Sequence, residues 1–103
     1  MMQNISPEEV KQRLDSGEKL HLIDVREPSE NAEFNIGGLL LPVGMIQAMQ
    51  IEEIEDLKDE EVILYCRSGN RSGIAAMTLD QMGFTNTKNL TGGMLAWLQK
   101  FKG

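Results

Sequence analysis

Cys66 is the only cysteine of the chain, and the six residues that follow it are small, polar or basic. These residues are Arg67, Ser68, Gly69, Asn70, Arg71 and Ser72. A turn of this composition that leads into a helix can direct backbone N–H groups and the positive end of the helix dipole toward one anion. A thiol at that point ionises more easily than a free thiol. A lone cysteine after an apolar strand is more often a small core residue, but this loop predicts a nucleophilic Cys66 thiolate beside an anion-binding pocket.

The side chains of the loop have two interpretations each. Arg71 has a planar guanidinium that suits an oxyanion, the alternative being a salt bridge to a neighbouring glutamate. Arg67 either attracts an anionic substrate to the loop or is simply exposed. Ser68 and Ser72 either donate hydrogen bonds to the substrate or cap the following helix. His21 lies roughly 10 Å from the loop at about 3.3 Å per strand residue, so we expect a structural role for it rather than a pairing with Cys66.

Two apolar runs must position these residues. Residues 62–66 (VILYC) and 20–25 (LHLIDV) read as buried strands, with Cys66 at the carboxyl end of the first and Asp24 near the carboxyl end of the second. Because the carboxyl ends of parallel strands meet at one edge of a sheet, Cys66 and residues 24–27 are predicted to share that edge. Asp24 and Arg26 are expected to form a buried pair that supports the site.

The rest of the chain alternates between helical and extended patterns. Helices are predicted from Pro7 to a stop at Gly17, within 26–35, over 45–57, around 74–82 and after Gly92-Gly93, and short strands over 39–41 and 87–90. This alternation predicts an α/β fold with an open parallel β-sheet of about four to five short strands and helices on both faces. We expect a single domain over residues 1–103.

Composition excludes several classes of function. Residues 51–61 carry the whole net charge of −6, and we interpret them as a solvated face. The absence of a basic patch argues against nucleic acid as a partner, and no apolar run reaches the roughly 18 residues of a membrane span. One cysteine and one histidine exclude a disulfide and a structural zinc site, so we expect neither metal nor cofactor. Residues 1–7 lack the pattern of a secretory signal, which favours the cytoplasm.

Three stretches together resemble one known family. The loop C-R-S-G-N-R-S after an apolar strand, residues 22–28 (LIDVREP), and Gly92-Gly93 followed by Trp97 resemble the rhodanese-like sulfurtransferases. The resemblance covers nearly the whole chain in the family's order. Residues 34–39 read FNIGGL where the family usually reads GHIPGA. Asn35 and Gly37 thus replace a histidine and a proline, and we expect a different local conformation there.

The resemblance implies an activity. A sulfurtransferase of this family would take sulfane sulfur from thiosulfate or a persulfide donor onto Cys66, and pass it to cyanide, a thiol or a thioredoxin-like protein. A Cys-dependent phosphatase or arsenate reductase is the first alternative, but its loop has five residues between cysteine and arginine, against four between Cys66 and Arg71. The second alternative is a non-catalytic module that binds a partner through residues 51–61. Such a module normally lacks the loop cysteine.

Overall fold

Five parallel strands form one sheet in the order β1-β5-β4-β2-β3. The computed structural model describes residues 1–101, so residues 102 and 103 of the predicted domain lie outside the described residues. The strands are β1 Gln3–Ile5, β2 Leu22–Asp24, β3 Leu39–Leu40, β4 Val62–Tyr65 and β5 Thr87–Leu90. The helices are α1 Pro7–Asp15, α2 Pro28–Glu33, α3 Val43–Gln47, α4 Asn70–Gln81 and α5 Gly93–Phe101, with a 3-10 helix at Glu52–Leu57. The predicted α/β architecture is confirmed.

The central strand β4 is buried on both faces and divides the core in two. Val62 and Leu64 pack with residues of α3, the 3-10 helix and α4, while Ile63 and Tyr65 pack with residues of α1 and α5. A strand covered by helices on both sides needs an unbroken apolar sequence, which is why VILY lacks the polar alternation of a half-exposed strand. Burying each of these large side chains stabilises the fold by about 1.5–3 kcal/mol.

The structure corrects the prediction for residues 45–57. Instead of one helix, α3 ends at Gln47, Met49 adopts a left-handed conformation with φ 63°, and a separate 3-10 helix follows. A left-handed residue interrupts the helical hydrogen bonds. The apolar residues that are spaced as in one helix therefore belong to two short elements instead. Sequence analysis also missed β1, whose polar residues Gln3 and Asn4 are exposed at the edge of the sheet. None of the helices within residues 1–101 is both long and apolar enough to cross a membrane.

The acidic segment 51–61 is mostly solvated, with one exception. Its acidic side chains are exposed except that of Glu61, which is half-buried. Glu61 accepts hydrogen bonds from Arg13 of α1 and Lys88 of β5, with N–O distances of 2.5 and 2.6 Å. The Arg13 hydrogen bond, opposed by burial and supported by Lys88, lowers the pKa of Glu61 to about 2. This carboxylate therefore joins α1 to the sheet at the edge opposite the carboxyl end of β4, where Cys66 lies.

Replacing Glu61 by glutamine is expected to destabilise the protein at pH 7 by about 1–2 kcal/mol, because charge-assisted hydrogen bonds are lost. The folded pKa of Glu61 lies below its unfolded value, so its contribution is fully present above about pH 4.5 and disappears as the pH falls toward about 2. Urea unfolding of both proteins between pH 7 and pH 2.5 measures this. The difference should shrink with acidity. Glu53→Gln, at an exposed position, is the control, and equal stabilities of Glu61→Gln and wild type at pH 7 would contradict the assignment.

Candidate active site

The sulfur of Cys66 lies immediately after β4, and three hydrogen bonds point at it. The Gly69 amide donates at 3.0 Å, the Ser72 amide at 3.4 Å and the Ser72 hydroxyl at 3.3 Å. Gly69 has φ 102°, a left-handed conformation that glycine adopts without steric cost, and α4 begins at the next residue. Because Ser72 belongs to the first turn of α4, the sulfur accepts from a helix N-terminus whose amides have no intrahelical partner. Of the loop amides predicted to face the sulfur, those of Gly69 and Ser72 donate hydrogen bonds to it.

This environment favours the ionised thiol. Burial raises the pKa of Cys66, whose residue is 1% exposed. The hydrogen bonds oppose it: the Ser72 hydroxyl, then the amides of Ser72, Gly69 and Ser68, lower the pKa and outweigh burial. The pKa of the Cys66 thiol therefore lies below its usual value, because the fixed hydrogen-bond donors stabilise the thiolate by more than burial destabilises it.

Replacing Ser72 by alanine is expected to raise the pKa of Cys66, because the hydroxyl that stabilises the thiolate is removed while the backbone amide remains. The rate of alkylation by iodoacetamide, followed from pH 5 to pH 10, reports the thiolate fraction, and its midpoint should move to higher pH in the variant. Ser68→Ala is the matched control, because Ser68 contributes through its amide and not its side chain. A Ser72→Ala midpoint equal to that of wild type would show that the hydroxyl does not act on the sulfur.

Asn89 of β5 is a site residue that sequence analysis missed. Its side chain is buried, its Oδ1 accepts from the Ser72 hydroxyl at 2.5 Å, and its Nδ2 donates to the Gly69 carbonyl at 3.2 Å. Asn89 thus positions both residues that donate to the sulfur. The Ser72 hydroxyl has one proton for two acceptors, the Asn89 oxygen and the Cys66 sulfur. The sequence did carry a signal: an asparagine inside a buried strand needs hydrogen-bond partners, and β5 ends at the same edge as β4.

The predicted pair of Asp24 and Arg26 is present and buried. The guanidinium of Arg26 donates to both carboxylate oxygens of Asp24 at 2.8 Å. Arg26 also donates to the Phe34 carbonyl at 2.6 Å, and Asn31 donates to Asp24 at 2.9 Å. The pair therefore fixes α2 and the residue after it against the end of β2. Among the hydrogen bonds of residues 1–101, none joins either residue to the Cys66 sulfur.

Asn35 and Gly37, which replace the histidine and proline of the resembled family, make a turn of their own. The Asn35 side chain accepts from the Gly37 amide at 2.9 Å and donates to the Asn31 carbonyl of α2, also at 2.9 Å. Gly37 has φ 100°, which proline cannot adopt. The buried Tyr65 hydroxyl donates to the Gly37 carbonyl at 2.9 Å. The turn is therefore held to β4 next to Cys66 without the two usual residues.

The two loop arginines lie in different surroundings. Both terminal nitrogens of Arg71 donate to the carboxylate of Glu30 in α2, at 2.8 and 2.9 Å, so the salt bridge considered for Arg71 is formed. Arg67 is exposed and borders a cavity of about 130 Å³ that Phe34 and Met94 also line. The carboxylate residues Glu30 and Glu33 line the same cavity.

The remaining loop residues and His21 follow the secondary structure. Ser68 and Asn70 have exposed side chains, and Asn70 opens α4. His21 is exposed before β2, and its Nε2 lies 3.9 Å from a carboxylate oxygen of Glu60. Within the described residues, no hydrogen bond joins His21 to the loop. Cys66 and His21 therefore form no dyad within the described residues.

Comparison with known proteins assigns the sequence and the fold to a family. The sequence model of the Rhodanese-like domain matches residues 6–100. A sulfurtransferase of Allochromatium vinosum is 41% identical over 98 residues, which cover 94% of this chain and 89% of that protein. YtwF of Bacillus subtilis is 41% identical over 98 residues, covering 93% of this chain and 90% of its own length. The human single-domain sulfurtransferase TSTD1 superposes with a TM-score of 0.78 at 28% identity, covering 94% of this chain and 96% of that one.

The family match spans almost all of the described residues, and these relatives have nearly the same length as this chain. The TM-score of 0.78 over 94% of this chain shows that the human structure has the same overall fold. The chain therefore belongs to the rhodanese-like domain family.

Proposed function

We propose that this protein is a sulfurtransferase that carries sulfane sulfur as a persulfide on Cys66, with thiosulfate or a persulfide as donor. The observation that supports the proposal most strongly is the set of donors from Gly69 and Ser72 around the sulfur of the only cysteine. These donors favour a thiolate, which is the nucleophilic form of cysteine. Two similar proteins, from Allochromatium vinosum and human, are named sulfurtransferases.

With thiosulfate as donor, the first step forms one S–S bond and breaks another. The Cys66 thiolate attacks the outer sulfur of thiosulfate, the S–S bond of thiosulfate breaks, and sulfite leaves with the bonding electron pair. A Cys66 persulfide with one negative charge remains. The amides of residues 68–72, together with the Ser72 hydroxyl, would stabilise charge on the thiolate and then on the persulfide, as an oxyanion hole does. Arg67 would attract the anionic donor.

In the second step an acceptor removes the outer sulfur. Cyanide attacks it, the persulfide S–S bond breaks, and thiocyanate leaves while the Cys66 thiolate is restored. A thiol acceptor, including one on a thioredoxin-like protein, would attack in the same way and become a persulfide itself. No proton transfer by His21 is required, which fits its exposed position away from the loop. The proposed compartment is the cytoplasm, where a single reduced thiol persists.

Two assays on the purified protein test this proposal against the phosphatase alternative. We expect thiocyanate to form from thiosulfate and cyanide, and essentially no hydrolysis of para-nitrophenyl phosphate. The reason is the loop length: four residues separate Cys66 from Arg71, against five in the phosphatase loop, and the shorter loop is expected to be too narrow for a phosphate with four oxygens. Efficient hydrolysis of the phosphate ester without thiocyanate formation would refute the sulfurtransferase proposal.

A further inference from the structure

Glu30 joins α2 to the helix that holds the active-site sulfur. It lies in the first turn of α2, where its Oε1 accepts from the Glu27 amide at 3.0 Å. Its two carboxylate oxygens accept from Arg71 of α4 at 2.8 and 2.9 Å. The side chains of Arg71 and Glu30 are 33% and 29% exposed, so the pair is partly shielded from solvent. The Glu30 carboxylate is therefore held by two elements, through the Glu27 amide at the cap of α2 and through Arg71 in the first turn of α4.

The pair is ionised at neutral pH and its charges offset each other. The Arg71 hydrogen bonds lower the pKa of Glu30 to about 2, so the carboxylate is charged. Glu30 in turn raises the pKa of Arg71, with a smaller contribution from the charge of Cys66. Arg71 also directly precedes Ser72, whose amide and hydroxyl donate to the Cys66 sulfur at 3.4 and 3.3 Å, so its charge belongs to the loop that surrounds the sulfur. The guanidinium fork that would bind an oxyanion is already bound to a carboxylate of the same shape.

We propose that Glu30 determines donor specificity: by occupying Arg71 it withholds that cation from donors with an oxyanion group, and it favours persulfides of organic thiols over thiosulfate. The inference rests on the proposed function and deepens it by naming the donor class. With such a donor, the Cys66 thiolate attacks the terminal –SH sulfur, the donor S–S bond breaks, and the organic thiolate leaves. The proton stays on the transferred sulfur. No charge on the donor has to replace Glu30 at Arg71.

Arg67 does not take the place of Arg71. It forms no ion pair among residues 1–101, and it is exposed to solvent that screens its charge. A single exposed cation steers an anion weakly, whereas a partly buried bidentate guanidinium binds it directly. The charge balance at the loop therefore depends on whether Arg71 is free.

Two alkylating reagents of similar size measure this effect without any sulfur transfer. Iodoacetate carries a carboxylate and iodoacetamide does not, and both react with the Cys66 thiolate. The thiolate fraction cancels in the ratio of their rate constants. The ratio therefore reports how strongly the site favours or disfavours an anionic reagent over a neutral one. Glu30→Gln keeps an oxygen for the Glu27 amide but no longer carries the charge that holds Arg71. We expect the iodoacetate to iodoacetamide ratio to rise about threefold to tenfold in this variant.

Two further proteins separate release of Arg71 from simple loss of a negative charge. Glu33→Gln removes an exposed carboxylate one turn along α2, and its ratio should change less than about twofold. The double variant Glu30→Gln/Arg71→Ala removes both partners. We expect its ratio of rate constants to return to that of wild type within about twofold. The reason is that the two charges of the intact pair offset each other, so removing both changes the net charge at the loop by nothing. Thiosulfate should show a lower KM in Glu30→Gln, with kcat/KM for a glutathione monomethyl ester persulfide changed much less.

The outcomes are distinct. An unchanged ratio in Glu30→Gln, or an equal gain in the double variant, would overturn the proposal, since Arg71 would then not be the cation released. A wild-type ratio far above that of the double variant would overturn it too, because Arg71 would already be acting on anions. A thiol that reacts with neither reagent would also contradict it, as no anion could reach the sulfur. Failure of sulfur transfer alone would leave the ratios intact and would count against the proposed function only.

Discussion

Replacing Cys66 by serine is expected to reduce sulfur transfer by at least about 1,000-fold while the protein remains folded. A serine hydroxyl does not ionise near neutral pH and cannot hold a sulfane sulfur, so both steps lose their nucleophile. The fold should survive because serine is smaller than cysteine and its oxygen can accept the hydrogen bonds from Gly69 and Ser72 that now reach the sulfur. Thiocyanate formation and circular dichroism, measured on the same preparation, test the two halves of this expectation.

A matched control for this variant is Ser68→Ala. Ser68 belongs to the same loop, and its side chain is exposed. The Ser68→Ala variant should retain most of the activity. That result would show that a small change in the loop is not enough to stop turnover. Thiocyanate formation by folded Cys66→Ser at a rate near that of wild type would remove Cys66 from the reaction.

Replacing Gly93 by alanine is expected to lower kcat/KM by at least about 100-fold, because it displaces the loop from the opposite side. Gly93 opens α5, whose next two amides donate to the carbonyls of Cys66 and Arg67 at 2.9 Å each. A Cβ on Gly93 would collide with these same two carbonyl oxygens. The loop would have to move away from α5, and the amides that stabilise the sulfur would lose their alignment.

Gly17→Ala provides the control for backbone strain. Gly17 and Gly93 both have positive φ, at 87° and 57°, but a Cβ on Gly17 meets no atom within 4 Å. Both variants should lose about 1–2 kcal/mol of stability from the left-handed conformation. Only Gly93→Ala should lose activity in the folded fraction, as measured by kinetics normalised to the folded population. Equal activity in the two variants would show that α5 does not position the loop.

The sequence allowed the fold and the place of Cys66 within it to be predicted because both depend on local signals. The apolar run of β4 followed by a polar turn placed Cys66 at the end of a buried strand, and the alternation of elements required a parallel sheet. The buried pair of Asp24 and Arg26 was predictable for the same reason. Two residues apart at the end of a strand, they share one edge and have few other partners available.

Contacts between distant parts of the chain were beyond such reasoning. Glu30 and Arg71 are 41 residues apart, and Ser72 and Asn89 are 17 apart. Their pairing depends on the relative placement of α2, α4 and β5, which no local pattern specifies. The break at Met49 was missed for a related reason, since a left-handed methionine is an exception to the conformational preference of its residue type.

Intact-protein mass spectrometry after incubation with excess thiosulfate tests the central claim most directly. We expect the wild-type mass to rise by one sulfur atom, a fragment containing Cys66 to carry it, and cyanide to remove it with release of one equivalent of thiocyanate. Cys66→Ser should take up no sulfur under the same conditions. An unchanged wild-type mass during turnover, or a sulfur atom located on another residue, would contradict the Cys66 persulfide.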